Sequence, residues 1–325
     1  MTATFVCRTL LVGLLLDTGS SALAQGTPYP NRPVQLVVGF TPGGGVDINA
    51  RLLAAKMSEL LGQQVIVENK PGAGTNIANA HVARAAADGY TLLFTSPSVT
   101  INMSLYRTPG YDALRDFVGV SIFSESTNLL VVPAALPAKS VGELVTLARQ
   151  RPGTLNYSSA GTGTTQHLVG ELFKLRTGID IVHVPYKGTA PSLAALLAGD
   201  VQLSFANPQA IGQYVSSGRL RVLAVASAKR TSFIPEVPTM KEAGIEGVDV
   251  PLWFAVLAPA ATPRDVVQTL ANAVIRSAQS PEIRKRLQDQ GAEPVGNTPE
   301  EFGTILRGEV ARWAEVVKVS GARVE

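Results

Sequence analysis

The sequence predicts an α/β protein of two lobes. Three observations lead there. Short apolar runs of strand type alternate with amphipathic helical stretches along most of the chain. Glycine-rich loops repeatedly separate a strand from the helix that follows. The alternation forms two βα systems in series, with no linker long enough for independent domains. Alternating βα units fold as mostly parallel sheets flanked by helices. In open α/β sheets, ligands sit outside the carboxyl ends of the strands.

The elements follow in chain order. Residues 34–40 are a continuous apolar run, as expected for a strand buried on both faces. Ile48, Leu52, Leu53, Met57, Leu60 and Leu61 recur at helical spacing, and Gly62 stops that helix. Residues 65–67 read as a strand, 75–87 as a helix ended by Asp88-Gly89, and 90–95 as a third strand. Residues 128–132 are strand-like, and Ser140 with Glu143 forms a capping box for a helix that Pro152 ends. A strand at 155–159 leads through Gly161-Thr-Gly-Thr-Thr165 into a helix that runs to Leu175. Residues 179–184, 192–198, 201–206, 209–215 and 220–226 continue the alternation, and 253–258 is one more strand. Three helices close the chain, entered at Thr262-Pro263, Ser280-Pro281 and Thr298-Pro299. In each, the hydroxyl is expected to cap and the proline to occupy the first turn, where no N–H is needed.

Composition narrows the function. Arg8, a short apolar run and Ala22-x-Ala24 have the form of a secretory leader, residues 1–24, cleaved before Gln25. The apolar run is about half the roughly 20 residues a membrane span needs. The single cysteine, Cys7, lies in that leader, so the mature chain has no disulfide, thiol nucleophile or thiolate metal site. Roughly 300 residues remain, and two domains are the default at that length. The net charge of +3 is spread thinly, with no basic run of the kind that binds nucleic acid.

Catalytic patterns are missing. There is no G-x-S-x-G elbow, and His81, His167 and His183 have no metal-ligand spacing. Buried or capping roles are expected for these histidines. No metal, cofactor or enzymatic activity is predicted. The glycine loops carry the signal instead: Pro42-Gly-Gly-Gly45, Pro71-Gly-Ala-Gly-Thr75 and Ala160-Gly-Thr-Gly-Thr-Thr165, each ahead of a helix. A helix N-terminus presents unpaired N–H groups and partial positive charge, so it binds anions. None of the loops carries the G-K-[ST] of a P-loop, and the third lacks the last glycine of a dinucleotide fingerprint. A turn or packing role for any single loop stays open. Two such loops in different lobes would line a cleft.

The motifs YPNRPVQLVV (29–38), the glycine loop with Asp47 and Arg51, LGQQVIVENKPGAG (61–74), DGYTLL (88–93), VPYKG (184–188), LAVASAKR (223–230) and PEVPT (235–239) run through the chain in this order. Together with Ala258-Pro259 and Thr262-Pro263, they resemble the substrate-binding proteins of tripartite tricarboxylate transporters, the Bug family. The resemblance covers essentially the whole mature chain. It implies a type II-like periplasmic-binding-protein fold, with residues 25–127 and 230–325 forming one lobe, 128–229 the other, and the C-terminal helices packing on the first. It implies a monomeric receptor in the periplasm that binds a small carboxylate and passes it to membrane permease subunits. A sensor without its own transporter and a periplasmic hydrolase are the alternatives.

Carried onto this sequence, the family's ligand loops place Phe40, Gly43, Gly44, Gly45, Asp47, Ser96, Ser159, Gly163, Thr164, Thr165 and Asn207 at the site. On that reading, one carboxylate sits on residues 161–165, held by backbone N–H groups and the hydroxyls of Thr164 and Thr165. The 43–45 loop clamps it from the other lobe, partly through water near Asp47. An N-cap role for Asp47 is compatible. Ala206 stands where many members carry Asp, which weakens an amino-acid ligand.

Overall fold

The computed structural model describes residues 29–322, together with 1, 2 and 324. Apart from those first two residues, the leader expected at 1–24 lies outside the described residues. The first βα system is β1 (Val34–Val38), α1 (Gly45–Leu61), β2 (Val65–Asn69), α2 (Asn76–Ala83), β3 (Thr91–Thr95), α3 (Ser98–Leu105) and β4 (Phe117–Ser126). The second is β5 (Leu129–Pro133), α4 (Val141–Gln150), β6 (Leu155–Ser159), α5 (Thr165–Thr177), β7 (Ile181–Pro185), α6 (Thr189–Ala198), β8 (Leu203–Ala206), α7 (Pro208–Ser216) and β9 (Leu220–Val225). The chain then forms β10 (Leu252–Pro259), α8 (Arg264–Gln279), α9 (Pro281–Asp289), β11 (Glu293–Pro294) and α10 (Pro299–Ser320).

Two sheets result, ordered β11-β4-β10-β3-β1-β2 and β7-β6-β8-β5-β9. Both are mixed, where a mostly parallel sheet was expected for each. The βα units supply the parallel pairs β1–β2, β1–β3, β6–β7 and β6–β8. Strands β4, β5, β9 and β10 run antiparallel to their neighbours. These four strands carry the chain out of one sheet and into the other, from β4 to β5 and back from β9 to β10. β10 and β5, which receive the chain from the other lobe, run against the βα strands of their sheets, whereas β4 and β9, which send it across, run the same way as those strands.

Apolar residues pack on both faces of each sheet. Leu36, Leu53, Phe94 and Leu270 share a cluster on one face of the first sheet, and Val37, Leu93, Trp253 and Phe302 share one on the other. The second sheet is covered by clusters built around Tyr157, Phe173 and Phe205, and around Leu129, Leu196 and Ile211. Helix α10 reaches further than the sequence reading placed it. Phe302 and Leu306 join the first lobe's core, while Trp313 is fully buried in the second lobe's core. Twenty-two residues of helix span about 33 Å, enough to bridge both cores.

Local departures have local causes. Of the three terminal helices, only α10 has its expected side-chain cap, a complete Thr298–Glu301 capping box. Thr262 and Ser280 instead donate to the carbonyls of Pro259 and Ser277 in the preceding turns. α3 and β4 were absent from the sequence reading. α3 carries Thr100, Asn102 and other buried polar residues, so its apolar period is faint.

Candidate functional site

The loop after β1 begins with Gly39, followed by Phe40, which is buried, and Thr41. Gly44 precedes α1 in extended conformation, and Gly45 is the first helical residue. Asp47 therefore sits in the first turn of α1 rather than at its cap. Its carboxylate is buried and fully taken up by the protein. Oδ2 accepts from Gly43 N (2.9 Å) and Arg51 Nε (3.0 Å). Oδ1 accepts from Asn69 Nδ2 (2.9 Å) and pairs with Arg51 Nη2 (3.0 Å). Burial alone would raise the Asp47 pKa, but hydrogen bonds from Arg51, Gly43 and Asn69 outweigh it and hold the group below its ordinary value. Asn69 also donates to the Phe40 carbonyl (2.9 Å), so one network ties the loop to the end of β2.

The matching loop after β6 is built from neutral groups. Gly161 N donates to Ser159 Oγ (3.1 Å), and Ala160 N donates to Gln166 Oε1 (2.6 Å). Thr164 caps α5: its hydroxyl donates to Gly161 O (2.7 Å) and accepts from His167 N (3.4 Å). Gly163 has φ +85° and donates to His167 Nδ1 (3.4 Å). Ser159 Oγ lies 2.7 Å from His183 Nε2. Thr165 is buried and its hydroxyl has no hydrogen-bond partner among the described residues. Of the two threonines expected to hold an anion, Thr164 is committed to the fold and Thr165 is free.

These loops meet across the boundary between the lobes. A Cβ on Gly44 would lie 3.2 Å from Thr189 Cβ, and one on Gly45 would lie 2.6 Å from the Asn207 amide. Asn207 is buried, and its Oδ1 has no partner. On the other side, a Cβ on Gly163 would run into Asn102 Oδ1, and one on Gly74 into the carbonyl of Thr162. Tyr106 Oη donates to that same carbonyl (3.3 Å), and burial pushes its pKa up. Ser96 is buried and its hydroxyl pairs with that of Ser98 (2.9 Å) at the start of α3, so it is committed within the first lobe.

A cavity of about 230 Å³ lies between the lobes, lined by Phe40, residues 72–75, Tyr106, residues 160–162 and residues 185–187. Lys187 is the one charged side chain in its wall and forms no ion pair among the described residues. A larger groove, about 1030 Å³, runs along the first lobe between the β10–α8 turn and the start of α10, away from every glycine loop.

The sequence reading missed Asn102, Tyr106, Gln166 and Thr189. Thr189 had a signal: Lys187-Gly188-Thr189 repeats the Gly-Thr entry of the other loops. Gln166 joins the two loops of its lobe, donating to Thr189 Oγ1 (3.4 Å). Among the described residues, no group of three His, Cys, Asp or Glu side chains is placed to hold a metal.

Two α/β lobes that appose glycine loops and helix first turns across their boundary define a two-lobe ligand-binding protein. The chain matches the family model described as "Tripartite tricarboxylate transporter family receptor" over residues 49–322. It is 37% identical over 318 residues to Protein BugT of Bordetella pertussis, covering 97% of this chain and 98% of that one. Among solved structures, an R. palustris protein with adipate is similar at 41% identity and TM-score 0.88, covering 91% of this chain and 100% of that one. MatC from Rhodopseudomonas palustris with bound malate is similar at 32% identity and TM-score 0.85, covering 89% and 100%. The chain belongs to the tripartite tricarboxylate transporter receptor family, whose members are solute-binding receptors and not enzymes.

Proposed function

We propose that this protein is an extracytoplasmic receptor that captures a small carboxylate between its lobes and delivers it to a tripartite membrane transporter. The observation that carries the reading is the set of helix first turns in the second lobe. α5, α6 and α7 each begin near the lobe boundary with no acidic residue in the first turn. Uncompensated N-termini favour an anion. One carboxylate is assigned to the start of α5, where the free Thr165 hydroxyl adds a donor. The glycines at 43–45 close from the other side, Phe40 walls the cavity and Asn207 offers its amide.

The ligands of the similar proteins, adipate and malate, are small dicarboxylates, in keeping with this reading. Of the assigned residues, Phe40 alone lines the cavity of about 230 Å³, while the glycines at 44 and 45 lie directly against Thr189 and Asn207. On this proposal the leader is cleaved before Gln25 and the mature receptor works in the periplasm, as a monomer. Its lobes would divide at 25–127, 128–229 and 230–325.

A thermal-shift screen of mono-, di- and tricarboxylates tests the binding step. A ligand at about 100 times its dissociation constant stabilises by roughly 2.7 kcal/mol. A clear shift with a carboxylate and none with amines is expected; a panel in which no carboxylate shifts the melt overturns the reading. The transport step is tested in proteoliposomes carrying the cognate permease, where uptake should depend on added receptor.

A further inference from the structure

Beneath the 160–165 loop lies a stack of three rings. His167 and His183 are 4.2 Å apart at 22°, and His183 lies 4.8 Å from Tyr157 at 25°. His167 is 3% exposed. Each imidazole holds one end of the loop: His167 Nδ1 accepts Gly163 N–H, and His183 Nε2 bonds the Ser159 hydroxyl. Nothing in the proposed binding step uses either ring.

We infer that His167 and His183, kept as neutral imidazoles, position the 160–165 loop for its ligand, and that proton uptake at His167 releases the loop and the ligand with it. The inference rests on the carboxylate reading of this loop. The chemistry is specific to one atom. Nδ1 of His167 can accept the Gly163 N–H only while it carries no proton, so the proton of the neutral ring sits on Nε2. Adding a proton at Nδ1 sets two N–H donors against each other. Gly163 cannot retreat freely, because its neighbour across the lobe boundary is Asn102. At this ring spacing, a proton on one imidazole also opposes a proton on the other.

The surroundings keep both rings neutral. Burial lowers His167 to about 4, with Glu171 acting upward and Lys174 downward. Burial, then His167 and Lys174, lower His183 to about 3. Glu171 is drawn away by the Tyr157 hydroxyl and by Lys174 (3.3 Å). α3 and β8 bring no ionisable side chain to this core. α10, which packs on α5, brings Trp313, whose indole occupies Glu309 (2.7 Å).

The test has two arms. The sequence has three histidines, so imidazole resonances can be resolved in the ligand-free wild type. We expect His167 to be the Nε2–H tautomer at neutral pH, and the Gly163 amide to shift with the His167 titration at about pH 4. An Nδ1–H tautomer, a titration at the ordinary value near 6.5, or a Gly163 amide indifferent to it overturns the inference.

The second arm measures adipate affinity. Asn places an oxygen close to the Nδ1 position and cannot be protonated, so His167→Asn should bind within about threefold of wild type at neutral pH. His167→Phe keeps a ring without the acceptor and should lose roughly tenfold or more. Adipate itself takes up protons in acid, so the readout is the affinity ratio of His167→Asn to wild type. That ratio should rise about twofold between neutral pH and about pH 4, where half of His167 is protonated, and keep rising as pH falls further; a flat ratio overturns the inference. If the wild type binds no carboxylate at all, the proposed function falls, while the ligand-free titration still decides what the histidines do.

Discussion

The two lobes solve the same local problem with opposite electrostatics. Each has a strand, a glycine loop and a helix whose first turn meets the other lobe. In the first lobe the loop after β1 is closed by a buried carboxylate, Asp47, gripped by Arg51 and Asn69. In the second, the loop after β6 is closed by Ser159, Thr164, Gln166 and two neutral histidines. A negative charge in the first turn of α1 already occupies that helix's favourable end. The first turn of α5 has no such charge, so its positive end is not compensated by an acidic side chain. Glycine loops that look alike in sequence therefore differ: one is closed by its own charged partners, the other is the one to which the proposed function assigns the anion.

The largest effect is expected where the two lobes meet. Gly45 has helical geometry, so a side chain there strains no backbone, but its Cβ would press on Asn207 in the other lobe. Gly45→Val should leave the melting temperature of the ligand-free protein near native and remove ligand-induced stabilisation, as read by thermal shift with the carboxylate panel. Native ligand stabilisation in this variant would show that the loops need not approach each other to bind.

Next come the two threonines. Thr165→Val removes a free donor and should lower carboxylate affinity about tenfold, since hydrogen bonds to charged groups contribute roughly 1.5–3 kcal/mol. Thr164→Val removes a cap and should cost about 1 kcal/mol of stability with a smaller change in affinity. Calorimetry and denaturant unfolding on both variants separate the roles, and the reverse pattern would exchange the assignments.

Acid should distinguish the lobes as well. His167 and His183 have folded values depressed below 6.5, so the unfolded chain binds protons first. Their contribution is complete above about 6.5 and is lost as pH falls toward about 4. Asp47 is also depressed, but from 3.8, so its contribution is present above that value and lost only below it. Hydrogen exchange between neutral pH and about 4 should loosen the loop after β6 before the loop after β1. Simultaneous loosening would remove the contrast. The smallest effect is expected for Asp47→Asn: a modest loss of stability, and affinity for an anion unchanged or slightly improved.

Much of this was legible from residues alone, because strands, helix stops and glycine loops are local. The strand at Leu155–Ser159, the Ser140 cap of α4 and the left-handed Gly62 stop of α1 stand as their sequence signals indicate. So does the pattern of glycine loops before helices, and with it the family resemblance that pointed to a receptor. What the residues could not carry was partnership. Thr164 and Thr165 are neighbours of the same type, and only the fold shows that Gly161 claims one hydroxyl and leaves the other free. Asp47 reads as a ligand group until Arg51, Asn69 and Gly43 are seen around it. Asn102 and Tyr106, on and just after a helix with a faint period, join the site only because the second lobe presses against them. The direction of β4, β5, β9 and β10, and the reach of α10 into both cores, likewise belong to the tertiary structure. Local pattern follows from backbone sterics and side-chain periodicity within a few residues, whereas the chemistry of a cleft depends on which groups from distant segments satisfy one another and which are left over.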